Sequence, residues 1–473
     1  MQNTSPAFSE NVATALHDPG LQRALGRAKK PFAQVRANAV AKLPEFEALR
    51  DTAKAIKDHS LAHLDFYLEH FAAMVEAQGG VVHWARTAAD ARAQILAICQ
   101  AAGAKTVTKG KSMISEEIAL NDYLAENGVA PIETDLGEYI LQLREEAPSH
   151  IIGPAFHLNR EDWEASFRKA HTHLDPDRVF AEKRDIQAEA RAVLREKFLA
   201  ADVGITGANF LIAETGSSVI VTNEGNGDLT QTMPRVHIVL ASIEKIVPTI
   251  EDTLSLLRVL ARSATGQEFS VYTTFSTGPA RATDLDGPSD YHVVLLDNGR
   301  SNMIGGEFQD MLRCIRCSAC MNHCPVYLSV GGHAYGSMYS GPMGSVLTPA
   351  IFGLDQGHLL PNASTFCGKC ETVCPVKIPL TGLMRHWRER EFERHLTPMP
   401  MRYGLGVWAF IARRPTLYRM VTRLSAWGLG ILGRKSGRFR WLPLAGAWTR
   451  DRDMPAPEGE TFFARLARQE RGA

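Results

Sequence analysis

From Pro44 the chain sets apolar residues among charged ones at helical spacing, first in Pro44-Glu-Phe-Glu-Ala-Leu-Arg-Asp-Thr-Ala-Lys-Ala-Ile-Lys and then from Leu61 to Ala77. Residues 1–80 therefore read as a helical arm, closed by Gly79-Gly80. At Val81 the period changes. Gly80-Val-Val-His-Trp-Ala reads as a short strand, Ala88 to Ala101 as a helix, and Lys105-Thr-Val-Thr as a second strand. A helix from about Ser115 leads to a strand at Gly128-Val-Ala-Pro-Ile-Glu-Thr and then to Asp135-Leu-Gly-Glu138-Tyr. Later strands are expected at Gly204 to Ala213, Ser218 to Thr222, His237 to Ala241, Phe269 to Thr273 and Tyr291 to Leu296. Strands alternating with helices of this length predict a mainly parallel sheet with crossovers, an α/β domain over residues 81–300. The charged segment from about Asp162 to Asp202 reads as mostly helical, inserted in that sheet or packed beside it.

Few polar residues within this pattern suggest chemistry by themselves. His59, His63 and His70 in the arm form no H-E-x-x-H pattern and read as a solvated helix face. Cys99, in Ala93-Gln-Ile-Leu-Ala-Ile-Cys-Gln, reads as a small buried hydrophobe. Lys109-Gly-Lys-Ser resembles the end of a phosphate loop, but the glycine that should stand five residues before Gly110 is Lys105. An anion at that strand-to-helix corner is the weaker reading. The densest polar constellation joins Glu214-Thr-Gly-Ser217, Thr222-Asn-Glu-Gly-Asn-Gly227, Glu244-Lys245 and Ala264-Thr-Gly-Gln267. Glu214, Ser217, Asn223, Glu224, Gly227 and Gln267 are its candidate ligand crevice, since glycines at strand ends let backbone donors approach a ligand. The competing reading makes residues 223–227 a hairpin turn and Glu214 a local hydrogen-bond partner.

Seven of the eight cysteines fall in two short stretches: Cys314-Ile-Arg-Cys317-Ser-Ala-Cys320-Met-Asn-His-Cys324-Pro and Cys367-Gly-Lys-Cys370-Glu-Thr-Val-Cys374-Pro. The first has the C-x2-C-x2-C-x3-C-P spacing of a two-cluster iron–sulfur protein, in which the fourth cysteine serves the other cluster. The spacing predicts a crossed assignment. Cluster one takes Cys314, Cys317, Cys320 and Cys374; cluster two takes Cys324, Cys367 and Cys370. The fourth place of cluster two falls on Ser364, which leaves a serine ligand, a water, a partner's ligand or a three-iron cluster open. Two [4Fe-4S] clusters are expected, the second alternatively [3Fe-4S]. Structural zinc also uses C-x2-C pairs but has no use for the crossed cysteine and its proline. A disulfide framework does not suit a chain of this length that lacks a secretory signal.

Composition narrows the rest. Lys plus Arg and Asp plus Glu number 52 each, so nothing in the overall charge favours a nucleic-acid partner. No run of 18 apolar residues predicts a spanning helix. The expected compartment is the cytoplasm, with the inner membrane face as a second location. The charge balance shifts after the cysteines: between Leu396 and Arg450 there are ten Lys or Arg and no Asp or Glu, with Trp408, Trp427, Trp441 and Trp448 among them. Residues 396–473 form a basic, Trp-bearing region that reads first as a partner interface and second as a peripheral membrane contact. Pro455-Ala-Pro-Glu-Gly-Glu reads as a linker before a terminal anchor at Phe462-Phe-Ala-Arg465.

Gly207-Ala-Asn-Phe-Leu-Ile-Ala-Glu-Thr-Gly-Ser217, Thr222 to Gly227, Ser263-Ala-Thr-Gly-Gln267, the two cysteine segments, Gly331-Gly-His-Ala-Tyr-Gly-Ser and Gly341-Pro-Met-Gly carry a specific resemblance. Over almost its whole length the chain resembles the iron–sulfur subunit of the bacterial lactate-utilisation system, the LutB or LldF type. The resemblance implies a lactate-utilisation domain with a fold like CoA transferases and sugar-phosphate isomerases. It implies an α-helical ferredoxin-like two-cluster domain over residues 301–395, and a family-specific C-terminal region. It maps the seven cysteines onto cluster ligands and tends to place a serine where Ser364 stands. It further implies two partners, a cysteine-rich electron-transfer subunit and a small subunit related to the first domain, together oxidising L-lactate to pyruvate. Three function classes follow: an electron-transfer subunit, a self-contained 2-hydroxy-acid dehydrogenase with its active site in the α/β domain, and an iron–sulfur scaffold or sensor. No G-x-G-x-x-G follows an early strand, so hydride chemistry has no evident home and no catalytic residue is assigned. His323, directly before Cys324, is expected to support the clusters, and His333 lies nearby.

Overall fold

A computed structural model describes residues 3–28, 31–442, 445–449 and 452–471. Met1, Gln2, Lys29 and Lys30 of the expected arm, and Pro443, Leu444, Arg450, Asp451, Gly472 and Ala473 of the C-terminal region, lie outside the described residues. The chain divides into two compact units, Met1–Glu391 and Phe392–Ala473.

Among the described residues ten strands organise the first unit: β1 (Val81–Ala85), β2 (Thr106–Gly110), β3 (Ala130–Glu133), β4 (Val203–Thr206), β5 (Phe210–Ile212), β6 (Ser217–Thr222), β7 (Val236–Ser242), β8 (Ile246–Val247), β9 (Tyr272–Ser276) and β10 (Asp290–Leu296). Six of them form one sheet in the order β1-β10-β7-β4-β2-β3, with every pairing parallel. Helices cover both faces, so the central strands are apolar on both sides. Ile238, Leu240, Val294 and Leu296 pack with Ile95, Ile98 and Cys99 of the helix Ala88–Ala101. Their neighbours Val239, Ala241, Val293 and Leu295 point the other way, onto Leu68, Phe71 and Val75 of the helix Leu64–Ala77. The mainly parallel sheet and the helical region after it have the expected architecture.

A smaller mixed sheet, β8-β5-β6-β9, accounts for the main departures from the sequence pattern. Gly204 to Ala213 is two strands, because β4 belongs to the large sheet and β5 to the small one. The break falls at Gly207, where a Cβ would stand 2.5 Å from the Lys111 carbonyl oxygen. The hairpin lies between β5 and β6, and there Gly216 turns with φ +69° against the Val75 backbone. Residues 223–227 are instead a strand-to-helix corner that opens the helix Asn226–Thr232. β9 starts at Tyr272, opposite Thr222, rather than at Phe269. β8 has only two residues, too few to show a period. Beside the edge strand β3, the helices Leu136–Arg144, Arg160–Ala170 and Lys183–Leu199 close a core of their own around Tyr139, Phe167, Ile186 and Phe198.

The arm braces other parts of the first unit. Arg50, in the helix Phe46–Ala62, donates from Nε and Nη2 to the Cys374 carbonyl at 3.0 and 2.7 Å, and Arg36 donates to the Val373 carbonyl at 3.0 Å. His59, His63 and His70 lie on its exposed face, where His59 bonds the Tyr67 hydroxyl. After β10 the first unit is helical, built on Gly341–Phe352, Leu380–Glu393 and the short helices Ala319–Asn322 and Lys369–Val373. The second unit is carried by the helices Met399–Ala412, Pro415–Gly433 and Phe462–Gln469.

Candidate functional site

Cys314, Cys317, Cys320 and Cys374 line one small cavity, walled by Ile315, Met321, Met343, Ile378 and Leu380. Burial and then the Cys374 thiol push Cys317 up; burial and then Cys314, Cys317 and Cys374 do the same to Cys320. Cys374 rises only to about 11: burial raises it, while the Ile378 N–H, 3.4 Å from Sγ, stabilises its thiolate. Cys324, Cys367 and Cys370 form a second group, within electrostatic reach of one another. Burial carries Cys370 to about 12, whereas Cys367 is exposed and is lowered by the Lys369 N–H. Cys320 also feels Cys370, so the two groups adjoin.

The backbone repeats itself across the two cysteine stretches. Arg316 and Ser318 flank Cys317 with φ of 59° and 60°; Phe366 and Gly368 flank Cys367 with 53° and 73°. The short helices Ala319–Asn322 and Lys369–Val373 follow at matching places and carry Cys320 and Cys370. In this register Ser364 stands where the first stretch has Cys314. Its Oγ accepts the Phe366 N–H at 3.1 Å. A donor set of thiols in an apolar cavity with a backbone N–H aimed at sulfur fits an iron–sulfur cluster. Among the described residues, no three His, Cys, Asp or Glu converge on a single-ion geometry. Cys99 is buried and raised to about 12 by burial, away from both groups. His323 donates from Nδ1 to the Ala319 carbonyl at 2.8 Å and His333 from Nε2 to the Ala147 carbonyl at 2.7 Å.

A cavity of about 770 Å³ opens where the chain leaves β2 towards β3 and leaves β4 in the opposite direction. Open α/β sheets present their ligand crevice at such a switch point, beyond the carboxyl ends of the strands. Lys111 follows β2, Asp135 follows β3, Asn209 follows β4 and Lys245 follows β7, and all four line it. Of the six crevice candidates, Asn223, Glu224 and Gln267 line the cavity. Gln267 donates to Asn223 Oδ1 at 3.1 Å, and Glu224 stands 3.6 Å from Lys111, which also pairs with Asp135. The other three are engaged elsewhere. Glu214 accepts the Ile250 N–H at 3.1 Å, Ser217 meets Thr277 Oγ1 at 2.6 Å, and Gly227 packs on Thr222. Glu138, Arg316 and Tyr339 join the lining from distant segments that no spacing connects. Burial, then Glu133 and Asp135, raise Glu138 well above the carboxylate range, and its Oε2 has no hydrogen-bond partner.

Arg316 belongs to both cavities. It pairs with Glu244 at 3.4 Å and lies over the Tyr339 ring. Glu244 also faces Arg300 Nε at 3.0 Å, and Arg300 donates from Nη1 and Nη2 to Glu117 at 2.9 and 2.6 Å. Tyr339 completes the network through its hydroxyl, 2.6 Å from Glu117 Oε2.

Residues 68–296 match the LUD domain family, and residues 310–378 match a 4Fe-4S dicluster domain. The chain is 41% identical to lactate utilization protein B of Lysinibacillus sphaericus, over 98% of this chain and 97% of that one. It is 40% identical to lactate utilization protein B of Bacillus subtilis, over 98% and 96%, and 42% identical to that of Shouchella clausii, over 98% of each. A crystal structure of a DUF162 family protein from Deinococcus radiodurans aligns at 14% identity over 49% of this chain and 98% of that one. Its TM-score of 0.26 carries no argument about fold.

Proposed function

The chain belongs to the lactate utilization protein B family, and from that premise we propose that it is the electron-transferring iron–sulfur subunit of a multi-subunit system that oxidises L-lactate to pyruvate. The observation that carries this reading is the adjacency of two thiol groups, with Cys320 within electrostatic reach of both its own set and Cys370. Cys314, Cys317, Cys320 and Cys374 hold one [4Fe-4S] cluster. Cys324, Cys367 and Cys370 hold the second, with Ser364 at its fourth corner or with a [3Fe-4S] core. Two such clusters, when bound, relay electrons one at a time. The protein's own part is to bury the first cluster, aim the Ile378 N–H at its ligand and brace the second cysteine segment through Arg36 and Arg50.

Function divides along the chain. Residues 1–80 brace, 81–300 hold a ligand, 301–395 relay electrons, and 396–473 dock a partner. The partners are a cysteine-rich electron-transfer subunit and a small subunit related to the α/β domain, in the cytoplasm or at the inner face of the membrane. Among the described residues no helix is long and apolar enough to cross a membrane. The His323 and His333 nitrogens that donate to backbone carbonyls support a structural role for both rings.

Anaerobic reconstitution tests the proposal, with L-lactate added while cluster reduction is followed spectroscopically. The lone chain should show no reduction, and the chain with its candidate subunits rapid reduction. Full reduction in the lone, metal-replete chain would favour the second reading, a dehydrogenase in its own right. That reading draws its support from the cavity at the switch point.

A further inference from the structure

Four cations and two carboxylates are buried together around the Cys314 loop: Lys57, Lys245, Arg300 and Arg316 against Glu117 and Glu244. Three of the cations are engaged. Lys57 donates to the Glu244 and Ile246 carbonyls, Arg300 to Glu117, and Arg316 to Glu244 and the Met343 sulfur. Lys245 is different. Its residue is 6% exposed and lines the large cavity, and among the described residues its ammonium makes neither a hydrogen bond nor an ion pair. Glu244 favours its charged form from a distance, so the ammonium faces the cavity with its hydrogen-bonding capacity open to an anion. Burial and the neighbouring Arg316 pull it down to about 8, which leaves it mostly charged at neutral pH.

We propose that Lys245 and Arg316 form an anion site that receives the carboxylate of an organic acid, and that its occupancy is coupled to the redox state of the cluster held by Cys314, Cys317, Cys320 and Cys374. A single carboxylate suits the local charge better than a phosphate chain. Arg316 already shares its charge with Glu244, and Asp135, Glu138 and Glu224 line the same cavity. The wall also offers Ile114, Ile151 and Leu260 to an apolar body. Coupling follows from position. Lys57, Lys245 and Arg316 all lie within electrostatic reach of Cys314, so they stabilise added negative charge on that group. An anion that neutralises Lys245 therefore makes reduction harder, and by linkage reduction weakens the anion. The redox half rests on the cluster reading proposed above; the binding half does not.

The test is calorimetric titration of the cluster-loaded full chain under anaerobic conditions with pyruvate, L-lactate, acetate and inorganic phosphate. The carboxylates should bind saturably, Lys245→Met should weaken them at least tenfold with iron content and unfolding temperature unchanged, and Lys245→Arg should recover most of the loss. A tenfold preference for the oxidised state appears as a midpoint about 59 mV lower with pyruvate bound, a shift that Lys245→Met should abolish. On the unaltered protein, pyruvate should protect Lys245 from an amine-acylating reagent, read by mass spectrometry, so the proposal stands or falls even if the variants fold poorly. Unchanged affinity in iron-replete Lys245→Met, phosphate binding without carboxylate binding, or equal labelling with and without pyruvate would each overturn it. None of the three readouts measures lactate turnover, so failure here is distinguishable from failure of the electron-relay reading.

Discussion

Arg316 Nη2 lies 3.4 Å from Glu244 Oε1, a buried pair that ties the loop between Cys314 and Cys317 to the turn after β7. Glu244 serves Arg300 as well, at 3.0 Å. Replacing it takes the carboxylate partner from Arg316 and leaves Arg300 with Glu117 alone, and breaking such a buried pair on one side costs about 3–5 kcal/mol. Glu244→Gln should therefore lower the urea midpoint and reduce retained iron. An unchanged midpoint would mean that the Arg316–Glu244 pair contributes nothing to stability.

Acid should act on the same group. Burial raises the Glu244 carboxyl, but Arg300, Arg316 and Lys245 outweigh it and hold it at about 2, below the ordinary glutamate value of about 4.3. Its contribution to stability is complete above that ordinary value and is lost as pH falls towards the folded value. Between about pH 5 and 2, wild type should lose stability more steeply than Glu244→Gln. Parallel stability curves for the two proteins would remove Glu244 from the acid response.

Cys374→Ala should damage the same cluster as Cys314→Ala, although sixty residues separate them, because both thiols line one cavity. Iron content and paramagnetic spectra of the two variants check this. Loss of different signals would break the crossed assignment.

The features that sequence displays are those whose causes are local. Strands β1, β2, β3, β6, β7 and β10 announce themselves, since alternation and flanking helices are local. The break at Gly207 does not, because the Lys111 carbonyl that packs against it comes from a distant part of the chain. That Cys314, Cys317, Cys320 and Cys374 share one cavity follows a spacing that the sequence displays, because ligand spacing is largely local chemistry. The large cavity is half legible: Asn223 and Glu224 follow β6 beside Gly225, Lys245 follows β7, and Gln267 follows Gly266 after the helix Ile250–Ala264, in short polar stretches that sequence marks. Glu138, Arg316 and Tyr339 reach it from a helix, a cysteine loop and a loop before Gly341, a meeting only the tertiary fold creates.

The group of Cys324, Cys367 and Cys370 should be the more labile. Cys367 is exposed, while Cys317, Cys320 and Cys374 are enclosed, and only three thiols are present. Exposure to air should release iron from this site first, followed by Mössbauer or paramagnetic spectroscopy. Because Ser364 occupies the backbone place of Cys314, Ser364→Cys should slow that release several-fold. Eight stable irons in the partner-free protein, with signals unmoved by Ser364→Ala, would exclude serine as a ligand.

The C-terminal unit should serve association and not cluster assembly. Along Pro415–Gly433, Met420, Leu424, Trp427 and Ile431 recur at helical spacing, and each is more than half exposed. Tyr403, Trp408 and Phe410 of Met399–Ala412 are likewise more than half exposed. Arg419 and Arg423 accompany the stripe, and no acidic residue occurs between Leu396 and Arg450 to offset them. So much exposed apolar surface is unfavourable in water and is characteristic of a contact surface. The cysteines all precede residue 375, within Met1–Glu391. Truncation after about Thr397 should therefore leave iron content and spectra unchanged, while co-purification with the partner subunits, or flotation with vesicles rich in anionic lipid, falls at least tenfold. Loss through partner binding alone would make this surface a protein interface, and loss through vesicles alone a membrane contact. Loss of iron on truncation would instead make these helices part of the cluster module and move the domain boundary beyond residue 395.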